Sequence, residues 1–183
     1  MNTAASISSP VTDSYYEPGR FLADRAIRKL VHSGAIRTTH SDALKAIEPA
    51  SLDLRPIGVQ YRLPSAFLPM AGQTVLSEIN RLAASSPPLD TPITPDDPDV
   101  ALIKLDLNLD LPPDVKAVFS PKSSIGRLDL HVRVIVDGHP RFDETPYGYK
   151  GPVYAEIRSW SFPILIKSGL PLLGIHRIGQ AIT

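Results

Sequence analysis

A long run of alternating residues constrains the fold of this chain more than any other feature. From Ile103 to Leu111 every second residue is aliphatic, and the residues between them are Lys104, Asp106, Asn108 and Asp110. Successive side chains of a strand point to opposite faces, so this run predicts a long β-strand with one polar face. The 183 residues include 19 prolines, which oppose a helical bundle because proline interrupts helix interiors. The sequence therefore predicts an all-β fold of short strands joined by turns.

Shorter patterns predict the other elements. Amphipathic spacing predicts a helix over residues 21–33, with Asp24 as its N-cap and Gly34 just after its end. A second short helix is expected over residues 74–84. Alternating or apolar runs predict further strands over residues 58–63, 115–119, 130–136, 153–157 and 164–167.

The same patterns divide the chain into an arm and one domain. Residues 1–19 are expected to form a flexible N-terminal arm, and residues 20–183 a single domain. Within it, residues 85–99 hold five prolines and four aspartates and are expected to be a mobile loop without chemistry. In residues 58–63 apolar side chains alternate with Gln60 and Arg62, which is typical of a half-buried strand. Trp160 is expected to be a packing anchor.

Composition excludes several classes of function. The formal net charge is zero, which argues against a broad nucleic-acid or anionic-membrane surface. The chain has no cysteine, so it has neither disulfides nor a thiolate zinc site, including that of the zinc deaminases. The N-terminus lacks the apolar region of a secretory signal, and the apolar residues 162–175 are too short and interrupted to span a membrane. These features fit a cytoplasmic protein.

Two short motifs carry the candidate chemistry. Residues 121–128 read PKSSIGRL and combine two cations with two adjacent hydroxyls at a turn. Phosphates bind cations, hydroxyl donors and unpaired backbone N–H groups, so this turn predicts a nucleotide site. Residues 151–157 read GPVYAEI and place Glu156 within a strand, where acidic residues are disfavoured. From composition alone, the favoured interpretation of Glu156 is a surface carboxylate of the strand, or one paired with Arg158.

Taken together, the motifs resemble those of the dCTP deaminase and dUTPase superfamily. Glu156 falls where the deaminase branch keeps its catalytic carboxylate, and residues 47–55 resemble the first signature, with Asp53 as a structural carboxylate. The resemblance implies a dUTPase-like β-clip barrel with a short N-terminal helix over residues 20–183. The long insert at residues 144–150 is similar to a proteobacterial-type subgroup, whose longer chains carry a second half. The domain could therefore be one half of a longer chain.

The resemblance also implies catalytic roles. Glu156 would move protons during hydrolytic deamination at cytosine C4. Ser123 would hold the attacking water or the departing ammonia, and Arg127 would position the water and stabilise developing charge.

Further residues are expected to bind the nucleotide by the same resemblance. They are Lys122, Ser124, Arg141, Asp143 and Val134. Lys122 stands where the family usually has arginine, and it keeps the charge but not the bidentate fork. Arg141 would reach a neighbouring subunit's nucleotide, and the main chain around Val134 would read the cytosine edge. Asp143 would recognise the deoxyribose, or else simply cap a turn.

The implied partners and cofactor follow from the same family. They are dCTP as substrate, dUTP as product, dTTP as inhibitor, and Mg²⁺ bound through the substrate triphosphate, with no zinc. A homotrimer with active sites between subunits is expected, and neither nucleic acid nor membrane is expected as a partner.

Three alternatives remain open at the level of sequence. A dUTPase would activate water with Asp143 and would not need Glu156, and a bifunctional enzyme would catalyse both steps. A structural or nucleotide-sensing half-barrel is the alternative without catalysis. It is favoured by Lys122 in place of arginine and by the lack of a recognisable closing segment after the last strands.

Overall fold

The computed structural model describes residues 22–40 and 42–180, except for the side chains of residues 176–180. The arm expected at residues 1–19 lies outside the described residues, as does Phe21 at the start of the first expected helix. Within the described ranges, no helix has the length and apolar character needed to cross a membrane.

The described residues form nine strands, three helices and a short 3-10 turn at Ala43–Ala46. The helices are α1 (Asp24–His32), α2 (Val75–Leu82) and α3 (Ser123–Gly126). The strands are β1 (Ile36–Arg37), β2 (Ile47–Glu48), β3 (Ser51–Leu54), β4 (Pro56–Leu63), β5 (Val100–Asp110), β6 (Val115–Pro121), β7 (Leu130–Val136), β8 (Lys150–Ser159) and β9 (Leu173–Gln180). This mainly β architecture confirms the predicted fold class.

Two antiparallel sheets enclose the main core. The larger has the order β1-β5-β8-β7, with β4 also paired to β5, and the smaller has the order β2-β3-β9-β6. Aliphatic side chains from both sheets and from α1 pack together between them. A second, smaller apolar cluster lies on the other face of the larger sheet, beneath α2. Both faces of β5 and β8 are therefore covered, which buries the centre of the larger sheet.

The polar face predicted for β5 is only partly present. Lys104 and Asn108 are exposed as expected, but Asp106 is buried. Its carboxylate accepts hydrogen bonds from the Thr39 backbone N–H at 2.8 Å and from the Thr39 hydroxyl at 2.9 Å. Burial alone would raise the pKa of Asp106, but these bonds and those from Thr38 and His40 lower it overall. Asp106 thus fixes the segment that follows β1, which the alternating pattern could not reveal.

The burial predicted from the pattern of β4 is reversed. Gln60 and Arg62 are buried, whereas Val59 and Tyr61 are half-buried. The Gln60 amide donates to the carbonyls of Leu89 and Thr91 at 2.5 and 2.6 Å. Residues 85–99 form a loop as predicted, and polar side chains of β4 bind that loop against the sheet, which the sequence pattern did not predict.

The loop is also held by an ion pair. Arg62 Nη1 donates to Asp97 Oδ2 at 2.7 Å, and Arg62 Nη2 donates to the Pro92 carbonyl at 2.8 Å. The Arg62 side chain is 7% exposed and that of Asp97 is 28% exposed. This pairing explains how a guanidinium can lie in the interior of the fold.

Three smaller predictions also need correction. Residues 164–167 do not form a strand, because Pro163 has no N–H to donate and Ile164 makes just an isolated bridge to Ile93. Asp24 is the first residue of α1, and Ala23 occupies the N-cap.

Trp160 is 56% exposed, and the Arg158 guanidinium lies 5.5 Å from its ring centroid. Gly34 does follow α1, at a φ of +77° that favours glycine.

We expect Arg62→Met to lower the free energy of unfolding by about 2–3 kcal/mol, because Asp97 and the Pro92 carbonyl lose their buried donor. Urea denaturation measures this change. Arg37→Met is the matched control, since its guanidinium is 55% exposed and its removal should cost less than about 0.5 kcal/mol. Equal losses in the two variants would contradict the structural role of Arg62.

Candidate active site

Glu156 occupies the middle of β8 between two paired strands. It lies opposite Leu102 of β5 on one side and opposite Arg133 of β7 on the other. Its neighbours Ala155 and Ile157 belong to the main core, whereas Tyr154 belongs to the apolar cluster beneath α2. The predicted alternation of β8 is therefore correct, and it directs Glu156 away from the main core.

Glu156 is a buried residue whose carboxylate has no bonding partner in the described part of the chain. The residue is 9% exposed, and within the described part of the chain no hydrogen bond or ion pair reaches its side chain. Burial raises the pKa of Glu156, the nearby Arg133 and Arg158 oppose that rise, and Asp143 adds to it. Buried polar groups normally have partners, so an unpartnered carboxylate with a perturbed pKa marks a candidate functional group.

Residues of β7 and of the hairpin that follows it lie on the same side of the sheet as Glu156. Arg133 lies over the Phe142 ring, 4.6 Å from its centroid, and Arg133 Nε donates to His131 Nε2 at 3.2 Å. Burial lowers the pKa of His131, and the positive charge of Arg133 lowers it further. Sequence reasoning did not assign a function to Arg133 or Phe142. The signal was present in the alternation of β7, which places Arg133 on the face of Glu156.

Asp143 is hydrogen-bonded to the backbone of β7 at Val134. Its Oδ1 accepts from the Val134 N–H at 2.7 Å, and its own N–H donates to the Val134 carbonyl at 2.9 Å. Asp143 has a φ of +63°, and its carbonyl accepts from the Phe119 N–H at 2.8 Å. Burial raises the pKa of Asp143, although the Val134 bond opposes the rise. In this structure the Val134 main chain is thus bonded to Asp143.

Arg141 lies in the same hairpin but points to solvent. It is exposed and donates to Glu144 Oε1 at 3.1 Å. Lys116 donates to the other oxygen of Glu144 at 2.9 Å, and the bond from Lys116 is the main reason that the pKa of Glu144 is lowered. This network fixes the base of the hairpin beside β6.

The predicted serine turn is the short helix α3. Lys122 occupies its N-cap position, and Ser123, Ser124 and Arg127 are all exposed. Lys122 Nζ donates to Asp53 Oδ2 at 2.5 Å, which joins the first sequence signature to the second. Because Asp53 neutralises much of the Lys122 charge, the two exposed hydroxyls and Arg127 are the accessible polar groups of α3.

The candidate residues form two separate groups within one chain. Among the described residues no hydrogen bond or ion pair joins α3 to Glu156, and Arg127 does not contribute to the pKa shift of Glu156. The strand that follows α3 begins with Leu130, which pairs with Ser159, three residues beyond Glu156. Three residues of strand correspond to about 10 Å. Glu156, Arg133, His131 and Asp143 are neighbours, and no hydrogen bond or ion pair in the described part of the chain joins Ser123 or Arg127 to them.

Comparison with known proteins identifies the family. The model of the 2'-deoxycytidine 5'-triphosphate deaminase (DCD) N-terminal domain matches residues 19–180. The chain belongs to this dCTP deaminase family. A comparison with curated proteins finds no match.

A solved structure supports the same assignment. The crystal structure of 2'-deoxycytidine 5'-triphosphate deaminase from Agrobacterium tumefaciens is similar, with 36% sequence identity and a TM-score of 0.78. The match covers 84% of this chain and 46% of that chain, so this chain spans less than half of the relative's length. The dUTPase-like fold predicted from the motifs is confirmed by this similarity.

We expect Glu156→Gln to raise the free energy of unfolding at pH 7 by about 1 kcal/mol, because it removes a buried carboxylate. The folded-state pKa of Glu156 lies above the unfolded value of about 4.3, so the destabilisation is present above the folded pKa and disappears as the pH falls through it. Urea denaturation should show that the difference in the free energy of unfolding between Glu156→Gln and wild type is smaller at pH 4 than at pH 7. The exposed Glu48→Gln is the control, and a Glu156→Gln chain no more stable than wild type at pH 7 would refute this account.

Proposed function

We propose that this chain supplies the site of a zinc-independent dCTP deaminase, which converts dCTP and water to dUTP and ammonia. The observation that carries the proposal is Glu156, a buried carboxylate without a bonding partner in the described part of its own chain. Membership of the dCTP deaminase family supports the same reaction. The product would feed dUMP and thymidylate synthesis.

Glu156 would carry the protons of the reaction. Its carboxylate would take a proton from the attacking water as the oxygen bonds to C4, and would deliver a proton to N3. A second transfer, from the C4 hydroxyl through Glu156, would protonate the amino group, so that the C4–N bond breaks, ammonia departs and the C4 carbonyl of uracil forms. A raised pKa suits this cycle, because the group must accept and release protons near neutral pH.

The residues of α3 would hold the water and the phosphates. Ser123 would bind the attacking water or the departing ammonia, Arg127 would stabilise the developing charge, and Ser124 would bind phosphate. Lys122 would act mainly through its bond to Asp53, which orients α3. Magnesium enters only as part of the substrate, bound to its triphosphate. The described residues include no group of three or more His, Cys, Asp or Glu side chains suited to hold a metal.

The hairpin would bind the base and sugar. Asp143 would contact the deoxyribose, and release of its bonds to Val134 would let the Val134 main chain read the cytosine edge. Arg141, exposed at the hairpin, would reach a nucleotide bound to a neighbouring subunit. A dUTPase reaction is less well supported, because it would leave the buried Glu156 without a role.

We also propose a homotrimer with the active site between subunits. The separation of α3 from Glu156 within one chain supports it, because α3 of one subunit could then face Glu156 of the next. Inhibition by dTTP and a cytoplasmic location are further expectations from the family resemblance.

The deciding experiment is release of ammonia from dCTP with magnesium, with products resolved by chromatography and dUTP tested in parallel. Conversion of dCTP to dUTP alone would establish the deaminase. Formation of dUMP and pyrophosphate would indicate the bifunctional enzyme or the dUTPase. Turnover of neither nucleotide would contradict the proposal for this chain and favour a structural or nucleotide-sensing half.

We expect Glu156→Gln to lower kcat by about 100- to 10,000-fold while dCTP still binds, since it removes the proton carrier and keeps the shape. Steady-state kinetics and calorimetric binding measure the two effects. Glu48→Gln, an exposed carboxylate on β2, should retain full activity. Substantial turnover by Glu156→Gln would remove Glu156 from the mechanism.

We expect Ser123→Ala to lower kcat about tenfold, which corresponds to roughly 1.4 kcal/mol of the activation barrier. Its KM should change less, because the lost hydrogen bond acts on the water or ammonia and not on bound dCTP. Ser65→Ala is the matched control, since Ser65 is also exposed but lies away from both motifs. An unchanged kcat would make Ser123 an ordinary residue of α3.

A further inference from the structure

Arg133 lies opposite Glu156 but does not bond to it. The two residues are direct partners in the antiparallel pairing of β7 and β8, which places their Cβ atoms about 5 Å apart. At this spacing a guanidinium and a carboxylate normally form a salt bridge. None within 4.0 Å joins them, although both side chains belong to the described part of the chain.

Two contacts hold the guanidinium away from the carboxylate. Its carbon lies 4.6 Å from the centroid of the Phe142 ring, and its Nε donates to His131 Nε2 at 3.2 Å. A cation over an aromatic face is stabilised by about 0.5–2 kcal/mol, depending on its exposure to water. Phe142 also packs against the apolar cluster beneath α2, which fixes the ring.

Arg133 also acts on both buried carboxylates of the site. Its charge opposes the rise in pKa that burial causes in Glu156 and in Asp143. The other titratable groups that face Glu156 come from every neighbouring element. They are His131 on β7, Tyr154 and Arg158 on β8, Lys104 on β5, Tyr61 on β4 and Asp143 in the hairpin. Of the cations among these groups, Arg133 and Arg158 oppose the rise in the pKa of Glu156 that burial causes.

We propose that Arg133 is a positioning residue that favours the ionised form of Glu156 without occupying its oxygens, and that Phe142 and His131 hold it at that distance. A direct salt bridge would cover the oxygens that must meet water and the base. A guanidinium held back by its neighbours supplies charge and leaves the carboxylate accessible. The catalytic use of this arrangement rests on the proposed function, whereas the charge effect on Glu156 does not.

The test measures the titration of the Glu156 carboxyl group directly by NMR. The full chain is labelled with ¹³C at glutamate Cδ, and the Glu156 resonance is assigned by its loss in Glu156→Gln. Arg133→Gln should raise the titration midpoint of Glu156 by about one unit, because a cation that favours the ionised form is gone. Phe142→Leu should lower the midpoint, because it lets Arg133 approach the carboxylate.

A double variant with Arg133→Gln and Phe142→Leu distinguishes loss of the contact between Phe142 and Arg133 from a general increase in the exposure of Glu156 to water. If Phe142 acts by holding Arg133, Phe142→Leu should no longer lower the midpoint in the Arg133→Gln background. An equal decrease in both backgrounds would overturn the role of Phe142. If Arg133→Gln does not fold, a lowered midpoint in Phe142→Leu and a midpoint near wild type in Arg133→Lys still support the role of Arg133.

Controls and kinetics distinguish this proposal from the function itself. Lys104→Gln removes an exposed cation from the same face and should leave the Glu156 midpoint unchanged. In a chain active on dCTP, Arg133→Gln should lose about tenfold in kcat on the acidic side of the pH profile, in step with the titration. A Glu156 midpoint that moves in neither Arg133→Gln nor Phe142→Leu overturns the proposal. If the Glu156 midpoint shifts as expected but the chain does not turn over dCTP, the effect of Arg133 on Glu156 is supported and the proposed deaminase function is refuted.

Discussion

The pairing of β8 with its two neighbours is the constraint on which the site depends. β8 is bonded to β5 on one side and to β7 on the other, and both of its faces are covered. This pairing places an acidic residue where desolvation is unavoidable and sets Leu102 and Arg133 beside it. A slip of one residue would turn Glu156 into the main core and remove the site.

Around this strand the fold uses buried polar groups to attach its irregular segments. Asp106 binds the segment after β1, Gln60 and Arg62 bind the loop of residues 85–99, and Asp143 binds the edge of β7. Asp106 and Arg62 are paired with backbone or an opposite charge, as buried groups normally are, and the Gln60 amide N–H groups donate to two carbonyls although Gln60 Oε1 is buried without a partner among the described residues. Glu156 differs from them because no bond in the described chain satisfies its carboxylate.

The division of the candidate residues between two groups bears on how the site is completed. Ser123 and Arg127 project from α3 into solvent, whereas Glu156 lies within the sheet beside the hairpin. A site that needs both groups requires an approach by another copy of α3 or a movement of the hairpin. The chain spans less than half of the length of the A. tumefaciens relative.

The sequence by itself determined the alternation of β5 and β8, the two motifs and the face of β8 on which Glu156 lies. These properties are local, because the alternation of side chains depends only on the backbone of one strand. The tertiary structure decided which polar residues are buried and what they bind. Gln60 and Arg62 face inward because the loop of residues 85–99 covers them, and Asp106 is buried because Thr39 supplies its donors. The opposition of Arg133 and Glu156 likewise depends on the register of β7 and β8, which joins residues distant in the chain.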